Sequence, residues 1–449
     1  MAPTGRTVGD KPSSLEQLIA AHEVVIACGS GGVGKTTTAA AMGAMAAMRH
    51  GGKVLVLTVD PAKRLASALG LEGFGNVATR VPDEAFAQAG VSARGELWAA
   101  MLDTKQSWDN LVVRHAPDAS TARRILDNPL YQNIAGRFVQ SHEYIAVERL
   151  YELHSDGAYD LIVVDTPPTR NALDFLEAPQ RMGDFFSSRL LRLLTAPYKS
   201  RFVNFASKPF YQVADRILGT QFLADIAEFF ILFQTMSPGF IERAEAVTRL
   251  LHDRRTTFVV VTTLEAAPAH EAEFFIDVLS QKRFHLGAVV LNKVLPDYLR
   301  DASGDAARLA ERLHGHAADV AAEVAAGLEQ GPWLGVGPAG GADIAGGADI
   351  AGVADNPGGA DSAGGADIAG GADIAGGANI AGGADPAQVQ RVLIEVADNF
   401  LRFGLVAQRE AEQRAALGKV PEVVATVPFF DTDIYDLAGL LRLGEQIWG

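Results

Sequence analysis

Residues 29–36 read Gly29-Ser30-Gly31-Gly32-Val33-Gly34-Lys35-Thr36, and this stretch decides the fold. It matches the pattern G-x-x-x-x-G-K-[ST] and lies between an apolar segment, Glu23–Cys28, and an alanine-rich segment, Thr37–Met48. A strand, a glycine loop and a helix in that order are the context in which this pattern forms a phosphate-binding loop. The order therefore predicts a nucleoside triphosphate site at the edge of an α/β sheet.

The residue types in the loop suit phosphate chemistry. Glycines let successive backbone N–H groups turn toward phosphates, Lys35 reaches the β/γ oxygens, and the Thr36 hydroxyl can hold Mg²⁺. We therefore predict ATP and Mg²⁺ as cofactors, Lys35 as a catalytic residue and Thr36 as a metal ligand. The predicted nucleotide contacts in the loop are Gly29, Ser30, Gly31, Gly32, Val33, Gly34, Lys35, Thr36 and Thr37.

Two acidic residues follow later apolar runs. Val54–Val59 ends in Asp60, and Leu161–Val164 ends in Asp165. Ligands of open α/β folds bind at the carboxyl ends of the strands, so both acids are expected beside the loop. Asp60 is predicted to orient or deprotonate the attacking water, and Asp165 to reach Mg²⁺ through a water. An aspartate at a strand end is often only a helix cap, but three such elements in order favour a triphosphatase.

Short β-branched runs recur with helix-like segments between most of them, which predicts an α/β fold: a P-loop NTPase with a mostly parallel central sheet flanked by helices. Residues 105–155 and 179–253 have helical patterns and are predicted to form an inserted helical subdomain. We expect a flexible N-terminus over 1–15 and a single ATPase domain over 16–449. The predicted strands are Glu23–Cys28, Val54–Val59, Leu97–Leu102, Leu161–Asp165, Phe258–Thr262, Ala288–Asn292 and Val423–Val427.

Residues 340–386 contain a hexapeptide repeat of Gly-Gly-Ala-Asp-Ile-Ala. The repeat satisfies the loose pattern of a parallel β-helix, but Asn356, Ser362 and Pro386 stand where interior aliphatic side chains are needed. The rest is glycine and alanine, which bury little. We favour a disordered acidic insertion without chemistry, between helices predicted over Asp305–Gln330 and Pro386–Leu417.

Composition excludes several function classes. The formal net charge is −15, which argues against a broad nucleic-acid surface, so no nucleic acid is expected as a partner. The hydrophobic content of 48% is ample for a globular core. No apolar signal core or spanning segment is visible, and Cys28 is the single cysteine, so a reducing cytoplasm is the expected location, with peripheral membrane contact left open.

The motifs together resemble a known family. The glycine loop, Asp60-Pro61-Ala62 and Asp165-Thr166-Pro167-Pro168-Thr169 are similar to those of the ArsA-type arsenite-pump and tail-anchored-protein-targeting ATPases, a deviant Walker A class. Members are dimers that sandwich ATP, with a helical layer whose shape depends on the nucleotide. The resemblance implies that Asp60 lies in switch I, that Asp165 begins switch II, that Asn292 reads adenine and that Pro428 lies in the loop packed on adenine.

One position departs from the family pattern. Family loops carry a lysine that crosses the dimer interface to the partner's phosphates, and this chain has Ser30 there. A missing transition-state cation can cost several powers of ten in rate. Residues 171–176 resemble the actinobacterial branch, and we favour a heterodimer with a paralogue that carries the lysine over a homodimer. In an alternative hypothesis, Lys63 or Arg64 supplies the missing positive charge within the same chain. In the simplest interpretation, both side chains only solvate the switch helix.

The lone cysteine also bears on the family's metal chemistry. Arsenite capture uses several thiolates, and the targeting dimers commonly hold zinc through a C-x-x-C pair. Because Cys28 is alone and ends a core strand, we expect neither a zinc nor an arsenite site. Cys28 is expected to be a small buried apolar residue.

The sequence is compatible with three functions. The favoured one is an ATPase switch that couples hydrolysis to a protein client or a membrane-associated partner. The others are a slow or non-hydrolysing subunit of a heterodimer and a partition-type ATPase. Residues 179–253 combine aromatic side chains with arginines and lysines, which suits a hydrophobic client, an anionic membrane or plain packing inside the protein.

Overall fold

A computed structural model shows the strands that the P-loop pattern requires. Residues described by the structure are 12–59, 63–71, 75–134, 141–167, 169–187, 220–301, 304–305, 307–308, 310–312, 319, 322, 386–418, 421–430 and 432–448. The strands among them are β1 (Val24–Cys28), β2 (Lys53–Thr58), β3 (Thr79–Arg80), β4 (Glu96–Met101), β5 (Leu161–Asp165), β6 (Thr256–Thr263), β7 (Leu286–Val294) and β8 (Val423–Pro428).

These strands form one sheet in the order β3-β4-β2-β5-β1-β6-β7-β8. Every pair is parallel except β3 with β4, which is antiparallel. The strand that feeds the glycine loop, β1, lies between β5 and β6, so the loop emerges near the middle of the carboxyl edge. Parallel strands bring their carboxyl ends together, which is why residues far apart in sequence meet here.

Helices connect and cover the strands. In the described ranges they are α1 (Leu15–Ala21), α2 (Lys35–Arg49), α3 (Lys63–Ala68), α4 (Asp83–Gln88), α5 (Thr104–His115), α6 (Ala119–Leu126), α7 (Pro129–Ile134), α8 (Ser141–Ser155), α9 (Thr169–Ser187), α10 (Thr220–Thr235), α11 (Ser237–Leu251), α12 (Ala266–Gln281), α13 (Asp297–Asp301), α14 (Pro386–Leu417) and α15 (Leu437–Trp448).

Alternating strand residues build a core on each face of the sheet. Ile26 and Val164 face a core that also contains residues of α5 to α12. Val25 and Val163 face the other core, which α1, α2, α4 and α15 complete. All residues of β1 and β5 are buried because both faces are covered, which explains their unbroken apolar sequence.

The predicted α/β fold is confirmed, and several bounds agree closely. Leu161–Asp165 and Pro386–Leu417 have the predicted limits, and the other predicted strands differ by one or two residues at their ends. Among the elements that were not predicted are two short ones: β3 is only two residues long and pairs antiparallel at the sheet edge, and α1 is a single short helix. Neither is long enough for hydrophobic periodicity to reveal it.

The helical pattern predicted between the strands is present where the structure describes it. Helices α5 to α8 occupy the first predicted stretch, beginning one residue early at Thr104, and α10 and α11 lie within the second. Helix α9 begins at Thr169, before the second stretch, and ends inside it. Phe233 and Phe240 are buried there against Trp108, whose ring centroid lies 6.1 Å from that of Phe240 and 6.4 Å from that of Phe233. Phe229 is buried against Phe233, with ring centroids 5.0 Å apart. Residues 188–219, which carry most of the basic side chains noted above, lie outside the described residues.

The chain forms two compact units. One comprises Met1–Pro296 and Ala407–Gly449, and it contains the sheet. The other comprises Asp297–Val406, where Ala310 packs against Ala397 of α14. The hexapeptide repeat and most of the predicted helix Asp305–Gln330 lie outside the described residues, so these and the predicted domain limits stay predictions. In the described ranges, no helix combines the length and apolarity needed to cross a bilayer.

Candidate nucleotide site

Residues 29–34 form a tight loop between β1 and α2 that only glycine permits at two points. Gly34 has φ +93°, and a Cβ there would lie 2.4 Å from Nδ2 of Asn292. A Cβ on Gly29 would lie 2.0 Å from the carbonyl oxygen of Val261 on β6. The loop is therefore pressed against the two neighbouring strands, and its glycines are required by close backbone approach.

Lys35 begins α2 and folds back over the loop. Its Nζ donates a hydrogen bond to the carbonyl oxygen of Ser30 at 2.8 Å, and both residues are buried. The Ser30 hydroxyl is buried and has no hydrogen-bond partner within the described part of the chain. A cation and an unsatisfied hydroxyl thus lie together in the loop. This pair, with the backbone N–H groups of the loop, fits a phosphate ligand.

Asp165 joins three elements at the carboxyl edge. Its Oδ2 accepts hydrogen bonds from the Thr36 hydroxyl on α2 at 2.6 Å and from the Thr58 hydroxyl on β2 at 2.9 Å. Asp165 ends β5 and is 1% exposed. A carboxylate and a hydroxyl at this distance are hard oxygen donors of the kind that Mg²⁺ prefers. The two predicted metal ligands, Thr36 and Asp165, are therefore brought together.

The segments that follow β2 and β5 are tied to this centre. Val59, which precedes Asp60, donates its backbone N–H to the carbonyl oxygen of Asp165 at 3.2 Å. The Thr166 hydroxyl donates to the carbonyl oxygen of Ala27 on β1 at 2.9 Å. Asp60 itself lies outside the described residues, so its role as a water-orienting residue stays a prediction.

Asn292 and Pro428, the two predicted adenine contacts, lie on β7 and β8. Asn292 Nδ2 donates to the carbonyl oxygen of Val33 at 2.8 Å, and its Oδ1 accepts the backbone N–H of Lys293 at 2.9 Å. Asn292 therefore supports the glycine loop through its hydrogen bond to Val33. Pro428 ends β8, and the next residue, Phe429, is 60% exposed. Both roles at adenine stay predictions.

Cys28 lies at the end of β1, directly before the loop, and is 1% exposed. Its thiol contacts the carbonyl oxygen of Val259 at 3.5 Å. Burial raises the pKa of the Cys28 thiol, although Lys35 acts in the opposite direction. The thiol therefore stays protonated and packs as a small apolar group.

Sequence reasoning missed two contributions to the site. Thr58 shares Asp165 with Thr36, and Asn292 supports the loop. A hydroxyl at the carboxyl end of a strand, two residues before Asp60, is a sequence signal that could have indicated Thr58. The contact between Asn292 and Val33 spans 259 positions and has no local signal.

The chain is similar to several known ATPases. A family model described as an anion-transporting ATPase matches residues 22–318. An ATPase ASNA1 homolog of Entamoeba dispar is 25% identical over 300 residues, which are 64% of this chain and 81% of that protein. An ATPase GET3 of Malassezia globosa is 26% identical over 298 residues, covering 65% and 80% of the two chains. An Aquifex aeolicus protein named as an arsenical pump-driving ATPase is 25% identical over 278 residues, covering 61% and 80%.

Proposed function

The chain belongs to the anion-transporting ATPase family, and we propose that its nucleotide-dependent dimer couples ATP hydrolysis to a protein or membrane-associated partner. The family and the similar proteins named as ATPases show that it is an ATPase, and the predicted resemblance is confirmed. We further propose that the chain forms a dimer, that it acts on a protein or membrane-associated partner and that it is located in the cytoplasm.

The observation that carries the proposal is the position of Asp165. Through Thr36 and Thr58 it joins the glycine loop to the end of β2, and it lies four residues before α9 begins. A change in what Asp165 binds would therefore affect both segments, the one that follows β2 and the one that follows β5. Such a junction is what a switch requires, because occupancy of the site changes the contacts that Asp165 makes with its neighbours.

The residues present fit ATP and Mg²⁺. Lys35 would leave the Ser30 carbonyl to bind the terminal phosphates, while the backbone N–H groups of the loop hold the phosphate oxygens. Thr36 and Asp165 would hold Mg²⁺, which when bound neutralises phosphate charge. Asp60 would orient the attacking water, and Asn292 and Pro428 would contact adenine.

Ser30 supports a partner that completes the site. Its side chain is neutral and buried, so it supplies no charge to a second subunit. A transition-state cation must then come from elsewhere, since such charges contribute several powers of ten in rate. We propose a heterodimer with a paralogue that carries the lysine. The same observation favours, as the second candidate, a subunit that binds ATP and hydrolyses it slowly or not at all.

The test is ATP hydrolysis by the purified chain, alone and mixed with a lysine-bearing paralogue, with the mass of the complexes measured under the same nucleotide conditions. The proposal predicts a mixed dimer whose turnover exceeds the sum of the separate proteins. A paralogue carrying alanine in place of that lysine is the control and should associate without stimulating. Strong turnover by the isolated chain would contradict the requirement for a partner.

A further inference from the structure

Helix α14 carries an apolar stripe with the spacing of a coiled coil. Val392, Val396, Asn399, Phe403 and Val406 follow one another at intervals of four, three, four and three residues. This alternation repeats every seven residues and places all five side chains along one side of the helix. We propose that this stripe pairs with the same stripe of a second copy of the chain, in the antiparallel orientation.

The stripe is exposed although four of its five side chains are apolar. Val392 and Val396 are each 58% exposed, Phe403 is 48% exposed and Val406 is 44% exposed. Large apolar side chains that are scattered singly on a surface need no explanation, but a row of them at heptad spacing indicates an interface. Within the described part of the chain, no element covers the row.

The stripe is distinct from the face that α14 already uses. Ala397 packs against Ala310 and is 3% exposed, and the partly buried side chains on the same cluster are Leu393, Ile394 and Leu401. On a helix with 3.6 residues per turn, this face is turned by about 155° from the stripe. The row is therefore a second apolar face, left over after the core of the Asp297–Val406 unit is formed.

Charges beside the stripe select the orientation. In an antiparallel pair, the stripe residues of the two helices face each other in successive layers. Val392 faces the partner's Phe403 in one layer, and Val396 faces the partner's Asn399 in the next. This register sets Glu395 opposite the partner's Arg402, and twofold symmetry makes that ion pair twice.

Other arrangements lose these ion pairs. Parallel helices would set Glu395 beside the partner's Phe400, which has no charge. Shifting the antiparallel register by one heptad would set Arg402 against the partner's Arg402, or Glu395 against the partner's Glu395. Charge complementarity therefore favours one partner, one orientation and one register.

The first experiment exchanges the charges in the full chain without nucleotide, so that an ATP-dependent dimer does not contribute. Sedimentation equilibrium should show a wild-type dimer at twice the monomer mass. Glu395→Arg and Arg402→Glu should each raise the dimer dissociation constant on the order of tenfold, because like charges face each other. The variant that combines both substitutions restores opposite charges and should recover the wild-type value. A monomeric wild-type chain, or single variants that dimerise like the wild type, would overturn the proposal.

A matched pair of substitutions tests the stripe itself. Phe403→Glu should abolish the dimer, whereas Leu405→Glu should leave it intact. Leu405 is 62% exposed, more than Phe403, but its position falls outside the heptad row. Equal effects of the two substitutions would show that general surface hydrophobicity, and not the stripe, drives association.

Cross-linking tests the orientation. Glu395→Cys combined with Arg402→Cys should give a covalent dimer under oxidising conditions, whereas each single cysteine variant should not. The two positions lie about 10 Å apart along one helix, too far for a disulfide within the chain. Covalent dimers formed by a single variant would indicate the antiparallel pair shifted by one heptad, and the absence of a covalent dimer from the double variant would contradict the proposed orientation. If the charge exchange, the stripe substitutions and the cross-linking all fail while the chain still binds ATP, this interface is ruled out. The proposed function is not affected by that result.

Discussion

Asp165 is the residue at which the loop, β2 and β5 meet. Replacing it by asparagine keeps the size of the side chain but removes the negative charge that Thr36 and Thr58 contact. We expect Asp165→Asn to lower turnover at least about tenfold and to raise the Mg²⁺ concentration needed for half-maximal activity. Magnesium titrations of ATP hydrolysis, with the lysine-bearing paralogue present throughout, check this.

Asp160→Asn is the matched control for that substitution. Asp160 lies at the other end of the same strand, where its carboxylate accepts the backbone N–H of Lys53 at 2.8 Å. It should leave the magnesium dependence unchanged. If both variants behave like the wild type, Asp165 has no part in metal binding.

His115 gives the helical layer a dependence on pH. Burial, followed by the charges of Arg243 and Arg114, lowers its pKa from 6.5 to about 4. Between pH 6.5 and about pH 4, His115 is protonated in the unfolded chain but not in the folded protein. The free energy of unfolding therefore falls as the pH drops through this range. Glu148 acts in the opposite direction, since burial raises its pKa.

We therefore expect His115→Gln to lose less stability than the wild type between pH 7 and pH 5. Comparing the variant with the wild type cancels the contribution of Glu148, and urea unfolding at both pH values is the measurement. His270→Gln is the control, because the side chain of His270 is 86% exposed. Parallel stability curves for His115→Gln and the wild type would refute the assignment.

At the scale of single residues, the sequence predicted those whose role is local. The loop glycines, Lys35 and Thr36 follow from one contiguous motif, and Asp165 from its position after a strand. Thr58 and the support of the loop by Asn292 depend on contacts between distant parts of the chain. A single sequence does not encode such pairs in its local pattern.

Among the helices, α8 and α11 are joined by a largely buried ion pair. Arg243 Nε donates to Glu148 Oε1 at 2.6 Å, and the guanidinium also lies 4.2 Å from the ring centroid of Tyr151. Glu148 is 3% exposed and Arg243 is 20% exposed. Removing one partner would leave the other charge buried without its counterion, and this costs far more than losing a surface pair.

Arg243→Ala should lower the free energy of unfolding by about 3–5 kcal/mol, measured by urea denaturation. Adding Glu148→Gln should recover part of the loss, because no carboxylate then stays buried alone. Arg249→Ala on the same helix is the control. Its pair with Glu245 is 3.7 Å long with both side chains more than two-thirds exposed, so a change within about 0.5 kcal/mol is expected. Similar losses in Arg243→Ala and Arg249→Ala would contradict the account.

At the scale of elements, long periodic segments were predicted well and short ones were not. β5 and α14 have the predicted limits because each is bounded by clear changes in composition. The two-residue β3 forms only through its pairing with β4, and no local preference specifies it. The ion pair between α8 and α11 was also not foreseen, since it depends on how two helices pack.

At the scale of the whole molecule, the fold, the loop and the family agree on an ATPase. The parallel arrangement of β2, β5, β1 and β6 was predictable, because buried parallel strands have unbroken apolar sequences. Their order in the sheet was not predicted. The cargo, the second subunit and the role of the repeat were not readable from the sequence. They depend on surfaces that meet other molecules, and surface composition is only weakly constrained by folding.

The most direct test of the central claim is equilibrium binding of ATP with Mg²⁺ to the wild-type chain and to Lys35→Ala. Binding does not require the missing lysine, so the result is independent of Ser30. The account predicts that the wild type binds and that Lys35→Ala binds at least about tenfold more weakly, whereas Lys53→Ala, at an exposed lysine, binds like the wild type. A wild-type chain that does not bind ATP, or equal affinities for wild type and Lys35→Ala, would contradict it.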